Sequence, residues 1–145
     1  MIIRVATGQD LPGILALYTQ PGVDDGQALS VSEAEAIFAR MRSYPDYRVY
    51  VAEADGEIAG TFALAILDNL AHAGARSALI EDVAVAPALQ GRGIGKEMMR
   101  FAMDICREKS CYKVSLSSNL KRQNAHKFYE GLGFQIHGYS FLTEL

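Results

Sequence analysis

The sequence predicts an α/β fold: a single domain over residues 1–145, with a mixed central sheet of about seven strands flanked on both faces by about four helices. Three observations lead there. Stretches with apolar period two alternate along the chain with stretches of period three to four. One strand-like run, Leu79–Val85, passes through a turn with almost no side chains, Gly91-Arg92-Gly93-Ile94-Gly95, directly into a helix-like run. Two β-rich runs, Tyr47–Ala54 and Glu57–Leu67, are separated only by Asp55-Gly56, a strong hairpin signal.

Taken in order, Ile2–Ala6 reads as a first strand. Asp10 is a plausible helix N-cap with Pro12 in the first turn, and Leu11, Ile14, Leu15 and Tyr18 keep helical spacing up to Pro21-Gly22. Pro21–Ala28 has the composition of a mobile surface loop. Ser32 and Glu35 fit a capping box, and Ile37, Phe38 and Met41 supply the next buried helix face. After the hairpin, Asp68–Arg76 is a loop in which His72 reads as a surface histidine.

Alternation in Leu79–Val85 sets Leu79, Glu81, Val83 and Val85 on one face and Ile80, Asp82 and Ala84 on the other. Two adjacent carboxylates inside an apolar strand are the anomaly of this stretch. Ile94, Met98, Phe101 and Ile105 then mark the buried stripe of a helix. Tyr112–Ser117 reads as a strand and Asn124–Leu132 as a helix closed by Gly133. Phe134–Ile136 and Tyr139–Leu142 read as a short antiparallel pair around Gly138. The resulting order is β, α, α, β, β, β, α, β, α, β, β.

The glycine turn has the physics of an anion site. Glycines permit positive φ and close approach of a ligand to the main chain, and the helix that follows offers unpaired N–H groups at the positive end of its dipole. Arg92 and Lys96 add cations where that dipole alone disfavours them, so a diphosphate is the economical partner. A turn kept glycine-rich for packing alone is the competing reading. Two nucleotide motifs fail: a P-loop needs Gly and Ser or Thr where the chain has Gln90 and Glu97, and a dinucleotide fingerprint needs Gly where it has Lys96.

What stands there, Gln90-Gly91-Arg92-Gly93-Ile94-Gly95, resembles the Q-x-x-G-x-G turn of the GCN5-related N-acetyltransferases (GNAT). Ala125-His126-Lys127-Phe128-Tyr129-Glu130-Gly131-Leu132-Gly133-Phe134, about 35 residues further on, resembles the A-x-x-F-Y-x-x-x-G-F signature of the same family. The resemblance implies an acetyl-coenzyme A dependent N-acetyltransferase acting by direct transfer, with acetyl-CoA as co-substrate and no metal. It implies main-chain contacts to the pantetheine arm from Val83 and Val85, and diphosphate contacts from the N–H groups of Gln90, Gly91, Arg92, Gly93, Ile94, Gly95 and Lys96. Many members carry Asn where this chain has Arg122, so coenzyme contacts usually made there pass to Asn119 or Asn124 or are absent.

Amine acetylation needs a neutral amine, donors for an oxyanion, and a proton for the departing thiolate. Tyr129 is the candidate acid, because a phenol of pKa near ~10 suits a thiolate leaving group; packing against Phe128 is its bland alternative. Glu81 is the candidate base and the Val83 N–H the candidate oxyanion donor, while Asp82, on the opposite face, would anchor a neighbouring element. Other branches of the family carry their glutamate where this chain has Leu79 and relay the proton through water, which leaves a water chain as the rival base.

The family also implies that the two N-terminal helices border the acceptor site. Asp24 and Asp25 then either meet an incoming ammonium or are solvated turn residues. Ile80-Glu81-Asp82-Val83-Ala84-Val85 is similar to glucosamine-6-phosphate N-acetyltransferases, and Ser118-Asn119-Leu120-Lys121-Arg122 to aminoalkylphosphonate N-acetyltransferases. Both acceptors join an amine to a phosphorus oxyanion, which Lys121 and Arg122 would hold unless they form only a solvated basic turn. The resulting expectation is a small-metabolite amine as acceptor. The alternatives are a protein or peptide substrate, or a sensor that binds acyl-CoA without turnover.

Composition narrows the rest. No run approaches the ~18 apolar residues of a membrane span, and the N-terminus lacks a signal-peptide layout, so a cytoplasmic protein is expected. Net charge is −3, split as nine acidic and four basic residues over 1–60 (net −5) and eight acidic and ten basic over 61–145 (net +2). A mildly acidic chain without a basic stripe is a poor nucleic-acid binder. Cys106 and Cys111 fit neither a disulfide framework nor a zinc site. Homodimers are common among similar proteins, but the sequence shows no interface.

Overall fold

The computed structural model describes residues 1–145 and separates into two compact units, Met1–Ser115 and Leu116–Leu145. The first unit holds a five-stranded sheet in the order β1 (Ile2–Val5), β2 (Tyr47–Ala54), β3 (Glu57–Leu67), β4 (Arg76–Val85), β5 (Cys111–Ser115). Only the β4–β5 pair is parallel. Its crossover is α3 (Ile94–Glu108); α1 (Leu11–Tyr18) and α2 (Val31–Arg42) lie between β1 and β2 in the chain.

The two sheet faces have separate cores. On one, Leu11, Ile14 and Leu15 of α1 and Ala34 and Phe38 of α2 pack with Val49, Val51 and Ala63. On the other, Met98 and Met99 of α3 are wholly buried, Tyr50 stacks on Phe62 at 5.1 Å, and Phe101 meets Tyr50 edge-on at 5.8 Å. At Gly60 this packing leaves no room for a side chain, since a Cβ there would stand 2.6 Å from Met98 Sδ and 3.2 Å from the Ala84 carbonyl oxygen.

The Asp55-Gly56 hairpin forms with the expected boundaries. Both residues take positive φ, 53° and 79°, as a two-residue type I′ turn requires. The capping box of α2 is Ser30 with Glu33, not Ser32 with Glu35: Ser30 Oγ accepts from Glu33 N at 3.2 Å and Glu33 Oε2 accepts from Ser30 N at 2.9 Å. Both pairs have the same spacing, and the helix begins two residues earlier than the second pair requires.

β4 departs from the expected alternation. Thr61 pairs with Ala84 and Ala63 with Glu81, so Asp82 and Val83 together oppose the single residue Phe62, and Asp82 takes φ 53°. This is a β-bulge, and one extra residue exchanges the faces of everything beyond it. Thr61 and Ala63 share a face, and therefore so do Glu81 and Ala84. Val85, opposite Gly60, lies on the α3 face. The expectation that Glu81, Val83 and Val85 share one face is thus corrected.

The second unit contains α4 (Gln123–Gly131). Phe134–Ile136 and Tyr139–Leu142 are not strands, which leaves five strands instead of about seven. Ile136, Tyr139, Phe141 and Leu142 are all highly exposed, so the alternation read there has no sheet to complete.

Candidate functional site

The turn between β4 and α3 presents free main-chain amides beside two cations, an arrangement suited to an anion. Gly91 and Gly93 take φ 77° and 88°, conformations that L side chains rarely adopt, whereas Gly95 is already helical. A short 3₁₀ turn, Pro87–Leu89, uses the Gln90 N–H, which donates to the Pro87 carbonyl at 3.4 Å. Gln90 is thereby removed from the expected set of free amides. The first helical bond of α3 is Glu97 N to Gly93 O at 3.0 Å. Between them, the six N–H groups of Gly91 to Lys96 donate to no group in the protein. Arg92 and Lys96 are exposed at the same end, and buried Ile94 and Met98 hold the helix against the sheet.

Beside this turn, β4 runs past its neighbour. Its parallel pairing with β5 ends at Leu79–Ser115, so residues from Ile80 to Val85 have no strand on that side. Ala86 N donates to Ala59 O on β3 at 2.8 Å, so by alternation the N–H and C=O of Val85 point away from β3 toward the open side. The Val85 carbonyl accepts from Gln90 Nε2 at 3.2 Å and from Gln20 Nε2 at 3.1 Å.

At the bulge a second cluster gathers. α1 packs against β3 and β4, bringing Tyr18 near Asp82 and Asp24, while Tyr47 stands near Asp82 and Glu81. Glu81 and Asp82 reach solvent, yet the surrounding protein removes part of their hydration. Burial raises both carboxyls, Glu81 further through Asp82 and Asp82 further through Asp24. Burial, and then the Asp82 charge, raise the Tyr18 and Tyr47 phenols in the same way. Asp82 therefore belongs to the Glu81 cluster and is not an anchor on the opposite face. Tyr18 and Tyr47 were not legible as site residues, because helical spacing and β propensity accounted for both. The Glu81-Asp82 doublet was the signal available, since a strand with one apolar face has no place for adjacent acids unless it bulges.

Asp24 and Asp25 divide the loop after α1 between them. Asp25, at φ 50°, accepts from Gly22 N at 2.8 Å and so builds the turn. Asp24 alone of the two perturbs the Tyr18 and Asp82 groups.

In the second unit, Tyr129 packs edge-on against Phe128 at 5.1 Å and Phe134 at 5.8 Å. Burial raises its phenol, and Arg122 partly offsets the rise. Asn119 organises the turn before α4: its Oδ1 accepts from Lys121 N at 2.9 Å, and its carbonyl accepts from Arg122 N at 3.0 Å and from His126 Nε2 at 2.8 Å. Lys121, Arg122 and Asn124 are exposed. Elsewhere, Cys106 is buried, its thiol pushed up to about 12 by desolvation first, and it remains free, as does Cys111. No group of His, Cys, Asp and Glu side chains in the structure is arranged to hold a metal.

Comparison with known proteins agrees with this geometry. The model of the acetyltransferase (GNAT) family matches residues 13–134. A glucosamine 6-phosphate N-acetyltransferase from Trypanosoma brucei brucei is 38% identical over 136 residues, covering 93% of this chain and 89% of that protein. An aminoalkylphosphonate N-acetyltransferase from Salmonella typhimurium is 27% identical over 143 residues, covering 99% and 90%. Among solved structures, one from Agrobacterium tumefaciens superposes with a TM-score of 0.93 at 34% identity over the full length of both chains. The glucosamine-6-phosphate N-acetyltransferase of Arabidopsis thaliana gives 0.81 at 27% identity, covering 99% of this chain and 97% of that one.

Proposed function

The chain belongs to the GNAT family of acetyltransferases, whose co-substrate is acetyl-CoA, and from that premise we propose that it acetylates the primary amine of a small metabolite bearing a phosphate or phosphonate. The observation that carries the coenzyme half of this reading is the run of six free amides, Gly91 to Lys96, at the N-terminus of α3. They suit a diphosphate, with Arg92 and Lys96 adding charge. The open side of β4 offers Val83 and Val85 to the amides of the pantetheine arm.

The transfer asks three things of the chain. Glu81, with its raised carboxyl, accepts a proton from the acceptor ammonium, and Asp24 and Asp82 attract that cation to the same cluster. The free amine attacks the thioester carbon, forming the C–N bond, while the Val83 N–H stabilises the oxyanion. As the C–S bond breaks, Tyr129 protonates the thiolate. A phenol of ordinary pKa near ~10 is already protonated at neutral pH, the form an acid requires, and burial raises it further. Lys121 and Arg122 are the proposed partners of the acceptor's phosphorus oxyanion, and Asn119 and Asn124 remain candidates for coenzyme contacts.

The acceptor class is supported by what the two relatives are named for, and the test is a free-thiol assay over amino sugar phosphates, aminophosphonates, polyamines and lysine peptides. Turnover confined to the phosphorus-bearing amines is expected, and a preference for peptides overturns the small-metabolite reading. In the same assay Tyr129→Phe is expected to lower kcat roughly ten- to a thousandfold with coenzyme affinity intact; a normal rate removes Tyr129 from the mechanism. Glu81→Gln is expected to abolish the rising limb of the pH–rate profile, which in the native enzyme lies above the ordinary carboxylate range because the Glu81 pKa is raised. An unmoved limb assigns the base to a water chain.

A further inference from the structure

Gln20 takes no part in the steps above, yet it makes a hydrogen bond across 65 residues of sequence. It stands just after α1, at the root of the loop that carries Asp24. Its Nε2 donates to the Val85 carbonyl at 3.1 Å, Gln90 Nε2 donates to the same oxygen at 3.2 Å, and Gln90 Nε2 also lies 3.3 Å from Gln20 Oε1. Two amides thus fill both lone pairs of one carbonyl. One comes from the coenzyme turn and the other from the acceptor loop.

That loop is not free to ignore what happens at Gln20. Asp24 N donates to Tyr18 O at 2.9 Å, Gly26 N to Thr19 O at 2.8 Å, Gln27 N to Asp24 O at 3.0 Å, and Gly22 N to Asp25 Oδ1 at 2.8 Å. Two of these bonds tie the loop back to Tyr18 and Thr19, the two residues just before Gln20, and Val23 N donates to the Gln20 carbonyl at 3.2 Å, so the Gln20 backbone is part of the frame that holds Asp24.

We propose that Gln20 is a positioning residue that couples coenzyme occupancy to the acceptor loop. The inference rests on the reading that the pantetheine arm pairs with the open side of β4. A pantetheine amide reaching the Val85 carbonyl displaces both glutamines, and diphosphate binding at Gly91–Lys96 draws Gln90 away from Gln20. The loop bearing Asp24 is then released to close on the acceptor. The acceptor then binds more tightly once the coenzyme is in place.

The experiment compares the native protein with Gln20→Ala by calorimetry with coenzyme A and by hydrogen exchange over residues 20–28 with and without it. In the native protein, coenzyme A is expected to change exchange at Asp24 and Gly26. In Gln20→Ala the competing donor is gone, so coenzyme A is expected to bind about fivefold more tightly, the ratio of one ordinary hydrogen bond. Exchange in the loop is expected to stop responding to the coenzyme, because without the Gln20 bond the loop is already released. Gln20→Glu, which keeps the side-chain length but cannot donate from an ionised carboxylate, is expected to match the alanine variant. Native binding of coenzyme A together with an unchanged affinity and an unchanged loop response in Gln20→Ala overturns the coupling alone. Failure of the native protein to bind coenzyme A overturns the coenzyme reading beneath it.

Discussion

Arg4 shows how a single side chain can hold several segments at once. Its guanidinium bonds Asp10 in a bidentate fork at 2.7 and 2.8 Å and Glu53 at 2.8 Å, while Asp10 also accepts from Thr7 N at 2.7 Å. Asp10 was legible as a residue at a helix start, but its ion pair with Arg4 was not, because the two stand on different elements and no periodicity ties residue 4 to residue 10. Led by the Arg4 hydrogen bonds, these partners lower the Asp10 pKa from 3.8 to about 2. A carboxyl whose pKa is lower in the folded state adds stability above its unfolded pKa and loses it as pH falls through the folded one. Asp10→Asn is therefore expected to lower unfolding free energy by about 2 kcal/mol at pH 7. In urea titrations the gap to the native protein should narrow from about pH 4 downward and close near pH 2. A gap that stays constant over that range would mean that the ion pair contributes nothing.

At the scale of elements, what was legible depended on whether the signal was local. The hairpin at Asp55-Gly56 was readable because two residues decide it. The bulge in β4 was not, because it is defined by what stands opposite, and a period-two reading carries straight through Asp82 as though no residue were extra. The glycine turn was readable as an anion site, but the number of free amides depended on Pro87 taking up Gln90. Gly60 had no visible role in the sequence and turns out to set how closely α3 approaches the sheet. Gly60→Ala is expected to cost about 1–3 kcal/mol, since Met98 is wholly buried and has nowhere to retreat. Thermal unfolding measures this, and an unchanged midpoint would show that the contact relaxes freely. Gly56→Ala, where no atom stands within 4 Å, serves as the comparison for a cost due only to positive φ.

At the scale of the whole chain, the order of the first nine elements followed from periodicity and turn chemistry, and the family from two motifs in its C-terminal half. The missing pair of strands was over-read because Phe134–Leu142 alternates without a partner to pair with. Along the sequence the free amides of Gly91–Lys96, with Arg92 and Lys96, lie in the basic part and Asp24 in the acidic part, while Glu81 and Asp82 fall in the basic part. Replacing Arg92 and Lys96 together by Ala is expected to weaken coenzyme A binding roughly tenfold at low ionic strength and much less at about 1 M salt, where the Debye length shrinks to about 3 Å. An equal loss at both salt concentrations would show that these side chains act through packing.

The halt of the β4–β5 ladder at Leu79 and Ser115 also bears on handling. A segment that stops short of its companion invites any passing extended chain to zip onto it. On the proposed reading the coenzyme lies along that gap and occupies the seam. Coenzyme-free protein is therefore expected to aggregate sooner on storage than protein kept with coenzyme A, and light scattering on paired stocks measures the difference.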